Sequence, residues 1–296
     1  MKIAAGDTPI SLPRDRRRGP PVRWVGGKKR LRKQIADAME AAAPGIFARA
    51  PRIVEPFCGS MAMTVELAAR SPSASIVASD GEPRVIAMWQ ELARNPANFL
   101  REVLGDQSAY QTGELEERRA WFLDLRKSIN EGAALPSSLF SLLQTGFNGI
   151  MRTNRKGGIN VPPGFLTGKP YVDPDVILAF SEALQRWGAP ICRDFFASLD
   201  DVTYGSIVYL DPPYVGTFKG YGSLSFCDDS LIPFVQRCLR LGAAMVAMSN
   251  SRAPDGWLEE FPESIEVSLE RSQIVNSNKA KRGKVREVLL IMKGKQ

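Results

Sequence analysis

The chain has 296 residues, 44% of them hydrophobic, enough for one large domain with an insertion or for two modest domains. It contains no histidine, and its four cysteines (Cys58, Cys192, Cys227 and Cys238) make no CxxC pair, so imidazole metal ligands and Ser/His or Cys/His catalysis are excluded. The net charge of +7 is clustered at residues 14–18, 152–156 and 279–286, which suits a polyanionic partner if the fold brings the clusters together; a solvated arm is the plainer reading of the first cluster alone.

No apolar run reaches the roughly 18 residues of a membrane span, and the basic N-terminus has no apolar stretch behind it. The expectation is a cytoplasmic, nucleoid-associated protein with reduced, mostly buried thiols, no membrane contact and no metal. Residues 1–20, rich in Pro, Gly and Arg, read as a flexible basic arm. Leu31 to Ala43 has helical spacing, and residues 52–57 read as a buried strand. Ser60 to Arg70 follows as a helix, Ser75 to Ser79 as a strand, and Glu82 to Arg94 as a helix closed by Asn95-Pro96. That succession has the spacing of parallel βαβ units.

From about Pro96 to Ala189 the pattern changes. Helical segments around Glu114–Asn130 and Ser137–Leu143 precede the glycine-rich "TGFNGIMRTNRKGGINVPPG", which reads as a hairpin turning at Arg155-Lys156-Gly157-Gly158. The α/β pattern resumes with a strand at 206–210, a helix at Ser230–Leu241, a strand at Ala244–Met248, and late strands near Ile265–Leu269 and Val285–Met292. The domain reading is therefore a discontinuous α/β domain (21–95 and 190–296) interrupted by a helical and hairpin insertion (96–189).

In an open α/β sheet, ligands bind beyond the carboxyl ends of the strands. Four strand ends carry suggestive residues. In "VEPFCGSMAM", Pro56 ends a strand and Gly59-Ser60 makes a tight turn into a helix N-terminus. Asp80 ends the next strand, placed either to accept both hydroxyls of a ribose or to cap a helix. Ser249-Asn250 follows the strand at 244–248. The fourth is Asp211-Pro212-Pro213-Tyr214. Asp211 and Pro212 both precede a proline, which holds the backbone extended, and neither proline has an N–H. The Asp211 carboxylate and the Pro212 carbonyl then form two fixed acceptors beside the flat Tyr214 ring, a pocket for a planar amine. Acceptor contacts that draw such an amine toward tetrahedral geometry free its lone pair for attack.

Taken in order, "RWVGGKK", "VEPFCGS", the acid Asp80, "FNGIMRTN" with "GINVPPG", and "DPPY" resemble the Dam-type DNA adenine-N6 methyltransferases (D12 class) over nearly all of residues 23–292. The resemblance implies a Rossmann-like methyltransferase sheet with helices on both faces, plus the insertion as a DNA-recognition domain. It implies S-adenosylmethionine as cofactor, met by Trp24, Lys28, Glu55, Pro56, Phe57, Gly59, Ser60, Asp80, Asp194, Phe195 and Asp211. Catalysis falls to Asp211, Pro212, Pro213 and Tyr214, acting on an adenine flipped out of double-stranded DNA by a monomer. Arg23, Phe147, Asn148, Ile150, Arg152, Asn154 and Lys156 are implied DNA contacts, with GATC or a related short site as target. The setting implied is restriction-modification or phage.

One position departs from the family pattern. Where the first strand turn usually has a second small residue, this chain has Met61, whose side chain either crowds the cofactor or points into the core. The competing readings are a catalytically weak or inactive DNA-binding homologue, and a methylase of RNA or of a protein amide.

Overall fold

The computed structural model describes residues 19–26, 28–213, 227–272 and 284–294. Short apolar runs build one seven-stranded sheet: β1 (Arg52–Glu55), β2 (Ser75–Asp80), β3 (Ile191–Cys192), β4 (Ile207–Leu210), β5 (Met245–Asn250), β6 (Ile265–Ser272) and β7 (Lys284–Lys293). Their order is β3-β2-β1-β4-β5-β7-β6. The first five are parallel, and β7 lies antiparallel between β5 and β6. The helices are α1 (Arg32–Ala42), α2 (Ile46–Arg49), α3 (Ala62–Arg70), α4 (Pro83–Arg94), α5 (Pro96–Thr112), α6 (Leu115–Asn130), α7 (Ser138–Thr145), α8 (Pro174–Trp187), α9 (Leu231–Arg240) and α10 (Trp257–Glu260).

Successive strand residues face opposite sides, so adjacent apolar residues feed two different cores. Ile53, Ile207, Met245 and Leu289 pack with Ile35 and Met39 of α1 and with Met63 and Leu67 of α3. Their neighbours Val54, Val208, Val246 and Leu290 pack with Phe234 and Val235 of α9. A third core joins α4 to α5, α6, α7 and α8 through Trp89, Phe99, Phe122, Phe140 and Phe180. The expected α/β sheet with helices on both faces is therefore present.

Four helices are not legible in the sequence: the four-residue α2 and α10, and the longer α5 and α8. Asn95 closes α4, but its side chain also accepts from the Asn98 N–H and so caps α5, with Pro96 at the first helical position. Asp173 and Pro174 start α8 in the same way. A proline lacks the N–H that the first turn leaves unpaired anyway, so Asn-Pro and Asp-Pro begin helices as readily as they end them. The thiols also differ from expectation: Cys58 and Cys238 are buried, but Cys192 is exposed and Cys227 intermediate.

The hairpin reverses where expected without forming regular strands. Its antiparallel pairing is limited to isolated bridges, Thr153 with Ile159 and Gly146 with Pro163. The Asn154 carboxamide oxygen accepts from the Lys156 and Gly158 N–H groups, building the turn from a side chain. Asn130 then takes both backbone groups of Ile159, at 2.7 and 2.9 Å, and Arg126 donates to the Val161 carbonyl. Side chains of α6 thus replace the ladder that a second strand would supply.

Met61 resolves the open question at the first turn. It is fully buried in the core shared with Cys58 and Val65, yet its φ is +60°, in the left-handed region that favours glycine. This delays the helix start to Ala62, two residues past the expected Ser60. The left-handed backbone costs about 1–2 kcal/mol, less than the 2–5 kcal/mol lost when a buried methionine is truncated. Met61→Gly is therefore expected to destabilise the fold by about 1–3 kcal/mol despite relieving the backbone, read as a lower urea midpoint with unchanged m-value.

Candidate functional site

β1 connects toward β2 on one side while β4 lies on its other side, so the strand order reverses between β1 and β4. A crevice opens at such a switch point, beyond the carboxyl ends of the strands. Glu55 ends β1 there and is buried, accepting from the Thr64 hydroxyl of α3. Burial, reinforced by the nearby Asp211 and Asp80 charges, pushes its carboxyl up to about 8. Pro56 is buried behind it.

The turn that follows is fixed by its backbone. Gly59, with φ of +42°, donates its N–H to Asp80 Oδ2 at 2.9 Å and accepts from the Trp89 indole at 2.9 Å. A Cβ at Gly59 would meet the Trp24 ring at 3.4 Å. The other Asp80 oxygen accepts from the Glu82 N–H at 3.0 Å. Asp80 is not the cap of α4: Glu82 is, accepting from the Arg84 N–H. Burial holds the Asp80 carboxyl above its ordinary range in spite of these backbone donors. Cys58, one residue before Gly59, is pushed well up by burial and by the Asp80 and Glu55 charges, far from a reactive thiolate.

Asp211 follows β4 directly. The Lys28 ammonium donates to Asp211 Oδ1 at 2.5 Å, to Glu287 Oε1 at 2.8 Å and to the Gly26 carbonyl at 3.2 Å. Lys28 and Glu287 are buried, with side chains 2% exposed, whereas Asp211 keeps 22% of its side chain open. Glu287 was not singled out in the sequence. Pro212 is buried and Pro213 half-buried; Tyr214 lies outside the described residues. β5 runs on to Asn250, and Ser249 bonds the Tyr209 hydroxyl at 2.7 Å, so the Ser-Asn pair belongs to the strand itself.

Phe57 and Phe195 approach with ring centroids 5.1 Å apart, and Phe195 also meets Phe234 of the core at 5.2 Å. Exposed Asp194 accepts from the Phe196 N–H and caps the 3-10 turn over residues 195–201.

A family model for the D12 class N6 adenine-specific DNA methyltransferases matches residues 24–269. The chain belongs to that family. The methyltransferase is 29% identical over 213 residues to the retron Ec67 DNA adenine methylase of Escherichia coli, covering 70% of this chain and 68% of that one. It is 26% identical over 287 residues to the type II methyltransferase M1.LlaDCHI of Lactococcus lactis subsp. cremoris, covering 92% and 94%. A solved SAM dependent methyltransferase from Agrobacterium tumefaciens aligns with a TM-score of 0.40 at 11% identity, over 90% of this chain and 62% of that chain. The methyltransferase uses S-adenosylmethionine and acts on DNA. Among the described residues no group of acids and cysteines is placed to hold a metal ion, and no helix is long and apolar enough to cross a membrane.

The residues expected to meet DNA gather near the same edge. Arg23 is exposed and donates to the Gln144 carbonyl, and the Val25 N–H bonds the Gly149 carbonyl at 3.0 Å. Trp24, Ser60, Arg23 and Asn148 line one cleft, and Asn148 takes a left-handed φ of +57°. Phe147 and Ile150 are half-buried, while Arg152, Asn154 and Lys156 are exposed. Arg152 is forked onto Asn160, with Nε on the side-chain oxygen at 2.8 Å and Nη2 on the carbonyl at 2.9 Å. Arg84, held by Glu82, reaches the Gly157 carbonyl at the hairpin tip at 3.0 Å. Of the basic clusters, residues 14–18 and 279–283 lie outside the described residues.

The raised carboxyl of Glu55 has a stability consequence. An acid whose folded value lies above its unfolded one stabilises the fold at low pH and loses that contribution as pH rises from about 4.5 through about 8. Glu55→Gln is expected to flatten the decline of melting temperature across that window, measured by thermal denaturation at half-unit pH steps.

Proposed function

We propose that the methyltransferase transfers a methyl group from S-adenosylmethionine to the N6 amine of an adenine extruded from double-stranded DNA, within GATC or a related short site. The observation that carries this reading is the half-open Asp211 carboxylate followed by Pro212 at the switch point, one strand from the Gly59 turn. Asp211 and the Pro212 carbonyl accept the two amine protons, and Tyr214 stacks on the base. The amine cannot reach this crevice from inside a duplex, so the adenine leaves the stack.

The residues present fit the donor. Gly59 leaves open the space that a side chain would fill against Trp24, and the Asp80 carboxylate, which takes the N–H groups of Gly59, Glu82 and Gly81, has acceptor capacity beyond them for a ribose hydroxyl. Phe57 and Phe195 offer an aromatic wall for the donor's base, with Asp194 beside it. Asp211 and Glu287 flank the buried Lys28 ammonium, and Glu55 lies within electrostatic reach of Asp211 and Asp80, an acidic setting that suits a cationic sulfonium. The donor supplies an electrophilic methyl group. Lys28 meets Asp211 rather than standing apart, so its part is to hold that carboxylate in place.

In this reading residues 21–95 and 190–296 form the catalytic domain, 96–189 the recognition domain, and 1–20 a basic arm. The enzyme works as a monomer in the cytoplasm. The Dam-like hairpin supports GATC, with Arg152 turning from Asn160 to a guanine edge and Phe147, Asn148 and Ile150 filling space beside the flipped base.

Two measurements test the reading. Incubation with S-adenosylmethionine and unmethylated duplexes should give N6-methyladenine only where GATC is present, quantified by mass spectrometry of the nucleosides, and Asp211→Ala should abolish it. Methylation regardless of GATC would keep the reaction and discard the site. Arg152→Ala should lower kcat/KM on the preferred site by roughly 10- to 100-fold while leaving near-cognate sites almost unchanged, as expected for the loss of one bidentate guanine contact.

A further inference from the structure

One cleft joins the turn after β1 to the hairpin. Its volume is about 260 Å³, and its polar lining comes from Arg23, Lys29, Ser60 and Asn148, with Trp24 among its apolar walls. The hairpin and the N-terminal segment that form it are locked together: the Val25 N–H bonds the Gly149 carbonyl at 3.0 Å, and a Cβ at Gly149 would meet the Arg23 carbonyl at 2.8 Å. The lining is unbalanced in charge and short of partners. It contains two cations and no carboxylate. Lys29 is exposed and makes no ion pair among the described residues, and Arg23 spends one guanidinium nitrogen on the Gln144 carbonyl. Ser60 is only 5% exposed, yet neither its hydroxyl nor the Asn148 carboxamide has a hydrogen-bond partner among the described residues. Buried hydroxyls are ordinarily paired, so the bare Ser60 hydroxyl points to a ligand that the chain itself does not supply.

We infer that this cleft holds a backbone phosphate of the target strand beside the extruded adenine, with Lys29 as its principal charged contact. The inference rests on the extrusion proposed above. Two cations, a hydroxyl and a carboxamide suit a group with net negative charge and several acceptor oxygens. The aminoacyl end of the methyl donor fits less well, because its ammonium would find no carboxylate in the lining. The place in the fold agrees with a nucleic-acid strand: Asn148 belongs to the hairpin, Ser60 to the turn beside the reaction crevice, and the strand has to pass from one to the other. Extrusion turns a nucleotide about the phosphates that flank it, so a phosphate gripped between these two elements is a fixed pivot. Such a contact sets register and adds affinity at every sequence without reading a base.

The experiment compares the full chain with Lys29→Gln and Lys29→Arg on methylatable duplexes, intact or carrying a single neutral methylphosphonate linkage at each position around the target adenine in turn. Duplex affinity is read by fluorescence anisotropy between about 50 and 200 mM salt, and S-adenosylmethionine binding without DNA by titration calorimetry. Lys29→Gln should weaken duplex binding roughly tenfold at low salt, equally with and without GATC, and lower the slope of log Kd against log salt by about 1. Lys29→Arg, which retains the charge, should restore most of both. One methylphosphonate position should weaken the wild type roughly tenfold and Lys29→Gln hardly further, since the two changes remove the same contact. Unchanged affinity and slope in Lys29→Gln, or a methylphosphonate pattern identical in the two proteins, overturns the inference. A loss of S-adenosylmethionine affinity without DNA, with the methylphosphonate pattern intact, gives the cleft to the donor and overturns it as well. If the wild type forms no N6-methyladenine on the intact duplex, the reading of the reaction fails, and the inference falls with it.

Discussion

The site depends on one buried ammonium. Lys28 comes from a 3-10 turn near the start of the described chain, Asp211 from just after β4 and Glu287 from β7, and their mutual contacts offset part of the desolvation cost of burying these charges. The same contact pins the segment that carries Trp24 over the Gly59 turn. That segment is also bound to Gly149 through Val25 and to Gln144 through Arg23. A single cation therefore fixes where the N-terminal segment, the central strands and the last strand meet.

Next to it, the Gly59 turn shows how backbone groups orient a carboxylate. Asp80 takes N–H groups from Gly59 and from Glu82, which belong to the loops after two adjacent strands. Its direction is set by backbone groups alone, and rigid support of this kind is what the proposed recognition of a ribose diol requires. Met61 tolerates a backbone angle suited to glycine because its side chain is enclosed by the core, so the turn is held from below by packing.

Much of this was legible in the sequence, for identifiable reasons. Parallel strands buried on both faces read as short apolar runs, and each strand end marks itself with Pro, Gly or Asp, so β1, β2 and β4 and their terminal residues could be placed from local pattern alone. The hairpin turn was legible for the same reason. What local pattern lacked was partnership. Nothing near Glu287 distinguishes it from an exposed acid on a late strand, because its partner is close only after β7 has turned back into the sheet. The starts of α5 and α8 were hidden by a different ambiguity, since proline after Asn or Asp serves both as a stop and as a first helical residue. The hairpin's missing ladder was illegible too, because Asn130, which replaces it, belongs to another element.

Arg84 joins the loop that orients Asp80 to the tip of the hairpin. It sits one residue into α4, beside the Glu82 whose N–H orients Asp80, and it holds the carbonyl of Gly157 at the tip of the hairpin. If the hairpin settles against a duplex as proposed, that contact bears on the same short segment that steadies Asp80. By linkage, whatever a duplex does to the affinity for the donor, the donor must do in equal measure to the affinity for the duplex. Order of arrival then becomes a matter of concentration rather than of design.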